Sequence, residues 1–256
     1  MPKEDLMPVR IICRLDIKGQ NVVKTVGTEG LRVVGVPEEM AVKYYKEGID
    51  EITYIDIVAS LYQRNFNFEQ LKSVCRNVFV PVTAGGGIRT LEDIDQALRS
   101  GADKVAINTS AINNPSFLKE AAERFGSQCI VLLVEAKKLR EGYWEAYTEG
   151  GREKSGLSVV EWIKQGIDLG AGEIILASID RDGTRRGYDV DLLKEVMKFS
   201  SVPVIAHAGA GSGKDLLEVF EAGTDAASLS SIFHYNMSDV GAIKKFLKGN
   251  SITIRK

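Results

Sequence analysis

The sequence predicts a (βα)8 TIM barrel, an α/β fold of eight parallel strands that alternate with eight helices. The length of 256 residues suits one large domain. Short apolar, β-branched runs recur eight times between segments of helical periodicity, and several are apolar throughout, as strands buried on both faces are. A doubly wound sheet is the other topology for this pattern, but eight regular units favour the closed barrel. We therefore expect a single domain over residues 1–256.

The predicted elements alternate strictly along the chain. The candidate strands are residues 11–15, 51–57, 80–83, 104–107, 130–134, 173–178, 202–206 and 226–230. The candidate helices are residues 37–48, 68–78, 90–101, a segment that starts at Asn114-Pro115, 158–170, 191–199, 213–223 and 238–248. Pro37 followed by two glutamates is a favourable first helical turn, and Thr90 with an acid three positions later is the signature of a capping box.

Two strand-to-helix connections, residues 18–36 and 137–157, are longer than the others and rich in glycine and polar residues. We expect both to be loops. Because long loops on a compact scaffold are usually lids or binding segments, both are candidate parts of a functional site.

The composition, 44% hydrophobic and 27% charged with a net charge of -2, is that of a globular protein without a basic surface for nucleic acid. Three cysteines without a CxxC pair, Cys13, Cys75 and Cys129, indicate a reducing compartment and argue against disulfides or zinc. Residues 1–7 are too polar and short for a signal peptide, and no apolar run approaches the ~20 residues of a membrane span. We expect a cytoplasmic protein.

Four short strings of the first half recur in the second half. Residues 15–18 resemble 134–137 at an offset of 119 positions, and residues 54–56 resemble 178–180 at an offset of 124. Residues 85–87 resemble 209–211, again at 124, and residues 101–103 resemble 223–225 at 122. Similar order and offset predict a duplicated half-barrel, and chance matching of short words is the alternative. Duplication would place two similar sites across the barrel mouth.

Glycine-rich turns after predicted strands are candidate phosphate sites, because glycine lets backbone N–H groups approach an anion closely. In the first half these are Gly85-Gly86-Gly87 and, after the next strand, Asn108-Thr109. The counterparts in the second half are Asp182-Gly183-Thr184, Gly209-Ala210-Gly211 and Ser230-Ser231. Two anion sites in one mouth imply a small molecule with a phosphate at each end. The alternative is that these glycines serve only tight turns and packing.

Two carboxylates, Asp16 and Glu135, end the first and fifth predicted strands, which lie opposite each other in an eight-stranded barrel. Both would point into the mouth and could act as general acid and base. The alternative for each is a structural salt bridge. Lys18, Lys24 and Lys137 are close to them in sequence.

At the opposite ends of the strands, Arg10, Glu51, Lys104 and Glu173 could form a ring that closes the barrel base, or simply a stabilising ion-pair network. The two histidines, His207 and His234, have no metal-binding spacing, so we expect no catalytic metal and no cofactor.

Five longer strings are characteristic of one protein family: Gly85-Gly86-Gly87-Ile88-Arg89, Gly101-Ala102-Asp103-Lys104-Val105, Phe125-Gly126-Ser127-Gln128, Asp180-Arg181-Asp182-Gly183-Thr184 and Ser231-Ile232-Phe233-His234. With these strings the chain resembles, from about residue 10 to residue 235, the cyclase subunits of imidazole glycerol phosphate synthase. The resemblance implies an enzyme of histidine biosynthesis in a heterodimer with a glutaminase. Ammonia from that partner would convert a bisphosphorylated ribulosyl aminoimidazole carboxamide into imidazole glycerol phosphate and aminoimidazole carboxamide ribotide.

The resemblance also implies residue roles. Asp16 matches the first catalytic aspartate of the family, and Lys24 matches its loop lysine. One phosphate site matches Gly87, Asn108 and Thr109. The second phosphate region matches Asp182, Gly183, Gly209 and Ser231, with Ser230 and His207 beside it. The charged gate through which ammonia enters matches Arg10, Glu51, Lys104 and Glu173, and Asp103 falls in the interface with the glutaminase.

The chain departs from the family pattern mainly at the mouth. Glu135 stands where the family has its second catalytic aspartate; one methylene moves the carboxylate by roughly 1.5 Å, and a displacement of about 1 Å can cost ~100-fold in rate. His207-Ala208 replaces a Ser-Gly pair, Val58 and Ala177 replace threonines, and Val36 replaces an acid. These departures leave open a divergent relative that builds an amidine on a nucleotide sugar for surface glycans, and a non-catalytic scaffold or activator of a glutaminase.

Overall fold

A computed structural model describes residues 8–26 and 29–255. The strands found there are β1 (Arg10–Lys18), β2 (Asn21–Val26), β3 (Glu29–Gly35), β4 (Glu51–Asp56), β5 (Val82–Gly85), β6 (Lys104–Ile107), β7 (Ile130–Arg140), β8 (Tyr143–Thr148), β9 (Glu153–Ser158), β10 (Glu173–Ser178), β11 (Val204–His207) and β12 (Ala226–Leu229). The helices are α1 (Pro37–Lys46), α2 (Phe68–Cys75), α3 (Leu91–Arg99), α4 (Thr109–Asn113), α5 (Pro115–Phe125), α6 (Val159–Asp168), α7 (Val190–Met197), α8 (Gly213–Glu221), α9 (Ser231–His234) and α10 (Val240–Gly249). Residues 1–7, from which we expected no signal peptide, lie outside the described residues.

Eight strands close a parallel barrel in the order β1, β4, β5, β6, β7, β10, β11 and β12, and β12 pairs again with β1. A helix follows each barrel strand, and the short helices α4 and α9 are additional turns before α5 and α10. The predicted (βα)8 fold is confirmed, with each predicted strand present near its expected position. No helix among residues 8–26 and 29–255 has the length and apolar character to cross a membrane.

The two long connections are β-hairpins, so the expectation of loops was wrong. β2 and β3 pair antiparallel and β2 also pairs with the end of β1. β7 continues beyond the barrel and pairs with β8, which pairs with β9. The glycines mark the hairpin turns: Gly19, Gly142 and Gly150 have positive φ angles of 61°, 68° and 67°. Between the turns, five consecutive residues of β8, from Trp144 to Thr148, are buried.

The apolar core has two parts. A large cluster fills the layer between the strands and the helices. A smaller one fills the barrel interior with Ile12, Ile55, Ala106, Val131, Leu133, Ile175, Ala177, Ile205 and Ala226. Because side chains on a strand alternate between its two faces, Arg14 and Asp16 share the inward face of β1 with Ile12. The strand therefore carries its inward side chains from an apolar interior to a charged mouth.

Hydrogen bonds fix the register of the two half-barrels. The N–H of Val82 donates to the carboxylate of Asp103 over 2.8 Å, and the N–H of Val204 donates to that of Asp225 over the same distance. The two acceptors, Asp103 and Asp225, are 122 positions apart in the sequence, and the two donors, Val82 and Val204, are also 122 positions apart. Gly85 therefore corresponds to His207. The predicted matches at an offset of 124, residues 85–87 with 209–211 and 54–56 with 178–180, were wrong by two positions, although the duplication itself is present.

Candidate active site

Three adjoining cavities form one groove across the C-terminal ends of the barrel strands. The central cavity has an empty volume of about 470 Å³ and is lined by Arg14, Asp16, Glu135 and His207 among others. A first flanking cavity of about 480 Å³ contains Gly86, Gly87, Asn108, Thr109 and again Glu135. A second flanking cavity of about 250 Å³ contains Lys24, Asp182, Gly183, His207, Gly209, Ser230 and Ser231. The predicted mouth residues are thus brought together, with the two carboxylates in the middle.

Asp16 is a buried carboxylate held by two cations. Arg14 Nε donates to Oδ1 over 2.7 Å and Lys24 Nζ donates to Oδ2 over 3.1 Å. Burial raises the pKa of Asp16, but the neighbouring charges of Arg14 and Lys24 outweigh it and hold the pKa well below its usual range. Asp16 is therefore an anion at neutral pH, able to accept hydrogen bonds and to stabilise positive charge.

Glu135 is half-buried, in a different electrostatic setting. Asn108 Nδ2 donates to its Oε2 over 2.8 Å and also to the carbonyl of Tyr147 over 3.0 Å. Burial raises the pKa of Glu135 to about 7, against the opposing charge of Arg14. The carboxyl group can therefore both give and take a proton near neutral pH, which is the property required of a general acid and base. Two carboxyl groups in one cavity with separated pKa values fit distinct chemical roles.

Lys24 reaches the mouth from the hairpin of β2 and β3. Its Nζ donates to Asp16 and, over 2.9 Å, to Oδ1 of Asp182. Thr25 Oγ1 donates to Oδ2 of Asp182 over 2.6 Å. Lys24 therefore joins the hairpin to both halves of the barrel mouth. Its positive charge is balanced by the two buried carboxylates of Asp16 and Asp182.

The two flanking cavities have the same construction. Gly86 and Gly87 have φ angles of 91° and 76°, and Ala208 and Gly209, at the corresponding positions, have φ angles of 79° and 106°. A Cβ on Gly86 would collide with the backbone of Asp56. The hydroxyl residues also correspond, since α4 begins at Thr109 and α9 begins at Ser231. In the first cavity Thr109 Oγ1 already accepts a hydrogen bond from the N–H of Glu149 over 3.1 Å.

His207 lies between the central and second flanking cavities. Its Nδ1 is 3.1 Å from Oγ of Ser228. Burial, reinforced by the charge of Arg14, lowers the pKa of His207 well below its ordinary value. The imidazole is therefore neutral at pH 7, a hydrogen-bonding group and not a cation for phosphate.

The four predicted residues at the base form a closed ring of ion pairs. Arg10 contacts Glu51 and Glu173, each over 2.8 Å, and Lys104 contacts the same two carboxylates over 3.0 and 2.6 Å. Asp103 is exposed on this face of the barrel. Among residues 8–26 and 29–255 no group of three or more His, Cys, Asp or Glu side chains could hold a metal ion.

Arg14 was missed by the sequence reasoning. Its side chain is only 7% exposed and lines the central cavity, with Nη1 buried and without a hydrogen-bond partner in the described structure. The period of a strand was a usable signal, because Arg14 is two residues before Asp16 and must share its inward face.

Known proteins resemble the chain over nearly its whole length. A family model described as "Histidine biosynthesis protein" matches residues 10–239. A Legionella pneumophila protein named imidazole glycerol phosphate synthase subunit HisF is 55% identical over 203 residues, which cover 79% of this chain and 96% of that protein. Proteins of the same name are 44% identical over 251 residues in Streptococcus sanguinis, with 98% and 100% covered, and 46% identical over 246 residues in Pyrococcus furiosus, with 96% and 98% covered.

Proposed function

The chain belongs to the histidine biosynthesis protein family as an imidazole glycerol phosphate synthase cyclase subunit, and we propose that Asp16 and Glu135 are its proton-transfer pair. The substrate is the bisphosphorylated ribulosyl aminoimidazole carboxamide, which ammonia converts into imidazole glycerol phosphate and aminoimidazole carboxamide ribotide. The observation that carries the assignment is the mouth itself, where buried Asp16 and half-buried Glu135 lie between two similar glycine-lined cavities.

A doubly phosphorylated substrate would span the three cavities, with one phosphate in each flanking cavity. One phosphate would lie against the backbone of Gly87 with Asn108 and Thr109 nearby. The other would lie near Gly183, Gly209, Ser230 and Ser231, with Lys24, Asp182 and His207 at the same cavity. Backbone amides at such turns bind anions without a basic surface, which agrees with a net charge of -2. The reacting atoms of the substrate would then lie in the central cavity.

The separated pKa values of the two carboxyl groups support a division of labour. Asp16, fixed as an anion, would orient the substrate and stabilise positive charge that develops on it. Glu135, with a pKa of about 7, would carry protons to and from the reacting oxygen and nitrogen atoms.

Ammonia would reach this site from the opposite end of the barrel. The ring of Arg10, Glu51, Lys104 and Glu173 closes the base, and apolar side chains line the interior above it. A neutral molecule such as ammonia can cross an apolar interior that excludes ions. We therefore place the glutaminase at the base, beside Asp103, and the complex in the cytoplasm.

The test is an assay of the purified chain with ammonium salt and the bisphosphate substrate. We expect turnover by the wild type, and a loss of about 100-fold or more in kcat for Glu135→Gln, which keeps the side-chain shape but cannot transfer a proton. Glu141→Gln, on the same hairpin with an 89% exposed side chain, is the matched control and should be unchanged. Absence of turnover by the wild type would contradict the assignment.

A second candidate function is amidine formation on a nucleotide sugar with ammonia from a similar partner. It is favoured by one observation: Glu135, Ala177, His207 and Ala208, all departures from the family pattern, line the central cavity where the acceptor would bind. The ring at the base, by contrast, is complete. Expression in a histidine-requiring strain that lacks its own cyclase separates the two, because growth without histidine would exclude this second function.

A further inference from the structure

Arg14 is a buried cation whose Nε has a hydrogen-bond acceptor and whose Nη1 has none in the described structure. The acceptor for Nε is Asp16, and Nη1 is itself buried. Arg14 lines the central cavity together with Asp16 and Glu135, and the two flanking cavities adjoin this cavity. A buried donor that is left unpaired is destabilising, so such a group in a cavity points to a ligand that supplies the acceptor.

The position of Arg14 limits what that ligand atom can be. In the proposed function the flanking cavities would hold the two phosphates of the substrate, so the part that reaches Arg14 would be the middle of the molecule. In a ribulosyl chain this part carries a carbonyl oxygen, which accepts hydrogen bonds. A guanidinium cannot give up its proton near neutral pH and therefore acts only as a hydrogen-bond donor and a fixed positive charge.

We propose that Nη1 of Arg14 donates a hydrogen bond to the carbonyl oxygen of the ammonia acceptor, and so polarises the carbon that ammonia attacks. This inference rests on the proposed cyclase function. The lone pair of ammonia forms the new C–N bond while the π pair of the C=O bond moves onto oxygen, next to the Arg14 charge. Glu135 gives its proton to that oxygen and takes one from the nitrogen, which leaves a neutral carbinolamine and Glu135 in its starting state.

Arg14 would then be a catalytic residue with two simultaneous tasks. Through Nε it holds Asp16 in place, and through Nη1 it binds the substrate. A donor aimed at an oxygen that gains negative charge stabilises the transition state more than the ground state. A purely structural Arg14 would perform only the first task, and the two cases differ in how they depend on the carbonyl group of the ligand.

The experiment compares the binding of two ligands by calorimetry in the absence of ammonia. One ligand is the bisphosphate substrate, and the other is its analogue with a CH2 group in place of the carbonyl. For Arg14→Met we expect the substrate to lose about 10- to 100-fold more affinity than the analogue does, which is the range for a hydrogen bond from a charged donor. Loss of the contact with Asp16 affects both ligands equally and cancels in this comparison. Arg99→Met, at a side chain that is 79% exposed on α3, is the matched control for loss of one arginine.

The outcomes separate the inference from the function on which it rests. Equal weakening of both ligands, or no weakening, in Arg14→Met overturns the role of Arg14 and leaves the cyclase function standing. Failure of the wild type to bind the substrate overturns both. If Arg14→Met does not fold, as judged by circular dichroism, Arg14→Lys takes its place, because it keeps a positive charge beside Asp16 and loses the planar fork.

Discussion

At the scale of single residues, the protonation state of each carboxyl group at the barrel mouth depends on how many cations contact it. Arg14 and Lys24 surround Asp16, whereas Glu135 has an amide donor from Asn108 and a more distant cation. The same chemical group is thus an anion at one position and titrates near neutrality at the other. Burial acts on both carboxyl groups, and the number of cations in contact decides the result.

The raised pKa of Glu135 predicts a pH-dependent stability. The folded state keeps the proton up to about pH 7, whereas the unfolded chain releases it near its ordinary pKa of 4.5. The wild type therefore loses stability as the pH rises between these values and stays lower above them. We expect Glu135→Gln to be more stable than the wild type at pH 8 by on the order of 3 kcal/mol, with the advantage gone at pH 4.5. Urea titrations at both pH values measure it, with Glu141→Gln as control; a pH-independent difference would contradict it.

Ala208 predicts a gain in stability on substitution by glycine. Its φ angle of 79° is in the left-handed region, which a side chain disfavours by roughly 1–2 kcal/mol. Ala208→Gly should therefore raise the free energy of unfolding by about 1 kcal/mol. The reverse change at the corresponding position, Gly86→Ala, should lower it by about 2 kcal/mol or more, because the new Cβ meets the backbone of Asp56. Urea unfolding of both variants is the measurement, and a loss of stability in Ala208→Gly would show that the strain is absent.

The positions of Asp16 and Glu135 at the mouth could be predicted from the sequence, because each follows a recognisable apolar strand. The pairing of Lys24 with Asp182 could not, since the partners are 158 positions apart and meet only through the hairpin. The free end of Arg14 is also a property of the packed mouth, although strand periodicity would have placed its side chain inside the barrel.

At the scale of elements, the two β-hairpins continue the barrel beyond its rim. β1 and β7 are longer than the other barrel strands, with 9 and 11 residues, because each runs on into an antiparallel ribbon. The sequence indicated that both segments are long connections with a possible functional role, but it did not predict that they form β-hairpins. Glycine-rich composition is common to loops and hairpin turns. The strands between the turns are short, and each is either mostly buried on both faces, as β8 is, or mostly exposed, as β9 is, so neither shows the alternation that identifies a strand.

The hairpin of β2 and β3 is predicted to depend on Lys24 for its position over the mouth. Lys24→Met leaves Asp16 and Asp182 without their shared buried cation, which should lower the free energy of unfolding by roughly 3 kcal/mol. It should also speed amide hydrogen exchange in β2 and β3 more than in β10 and β11. Lys18→Met, at an exposed side chain where the same hairpin begins, is the matched control. Exchange that rises equally across the barrel would show that the lysine supports the whole fold and not the hairpin in particular.

At the scale of the whole molecule, the duplication accounts for the shape of the site. The corresponding turns at Gly86 and Ala208, and the corresponding helix starts at Thr109 and Ser231, produce two similar cavities on opposite sides of the carboxyl pair. The sequence indicated the duplication, but for two of the four matched strings the predicted offset was 124 positions where the structure has 122. Short glycine-rich strings match equally well at neighbouring offsets, and the hydrogen bonds of Asp103 and Asp225 show which offset is correct.

The architecture of the barrel predicts two ways for ammonia to reach the site, one through the base and the barrel interior and one from the mouth. Ala226 lies on the inner face of β12 directly beside Arg10 of the ring, so Ala226→Leu would narrow the interior just above the base. Turnover driven by ammonium salt, which can enter from the mouth, should stay within about threefold of the wild type. Glutamine-driven turnover in the complex with the glutaminase should fall about tenfold or more, because that ammonia must pass the substituted position. Ala242→Leu, on the exposed face of α10, is the matched control for the added volume. Overpacking of an interior costs about 1–3 kcal/mol, so both variants are compared below their unfolding transitions. If the two activities fell together, the barrel interior would not be the path, and ammonia would have to enter from the mouth whatever its source.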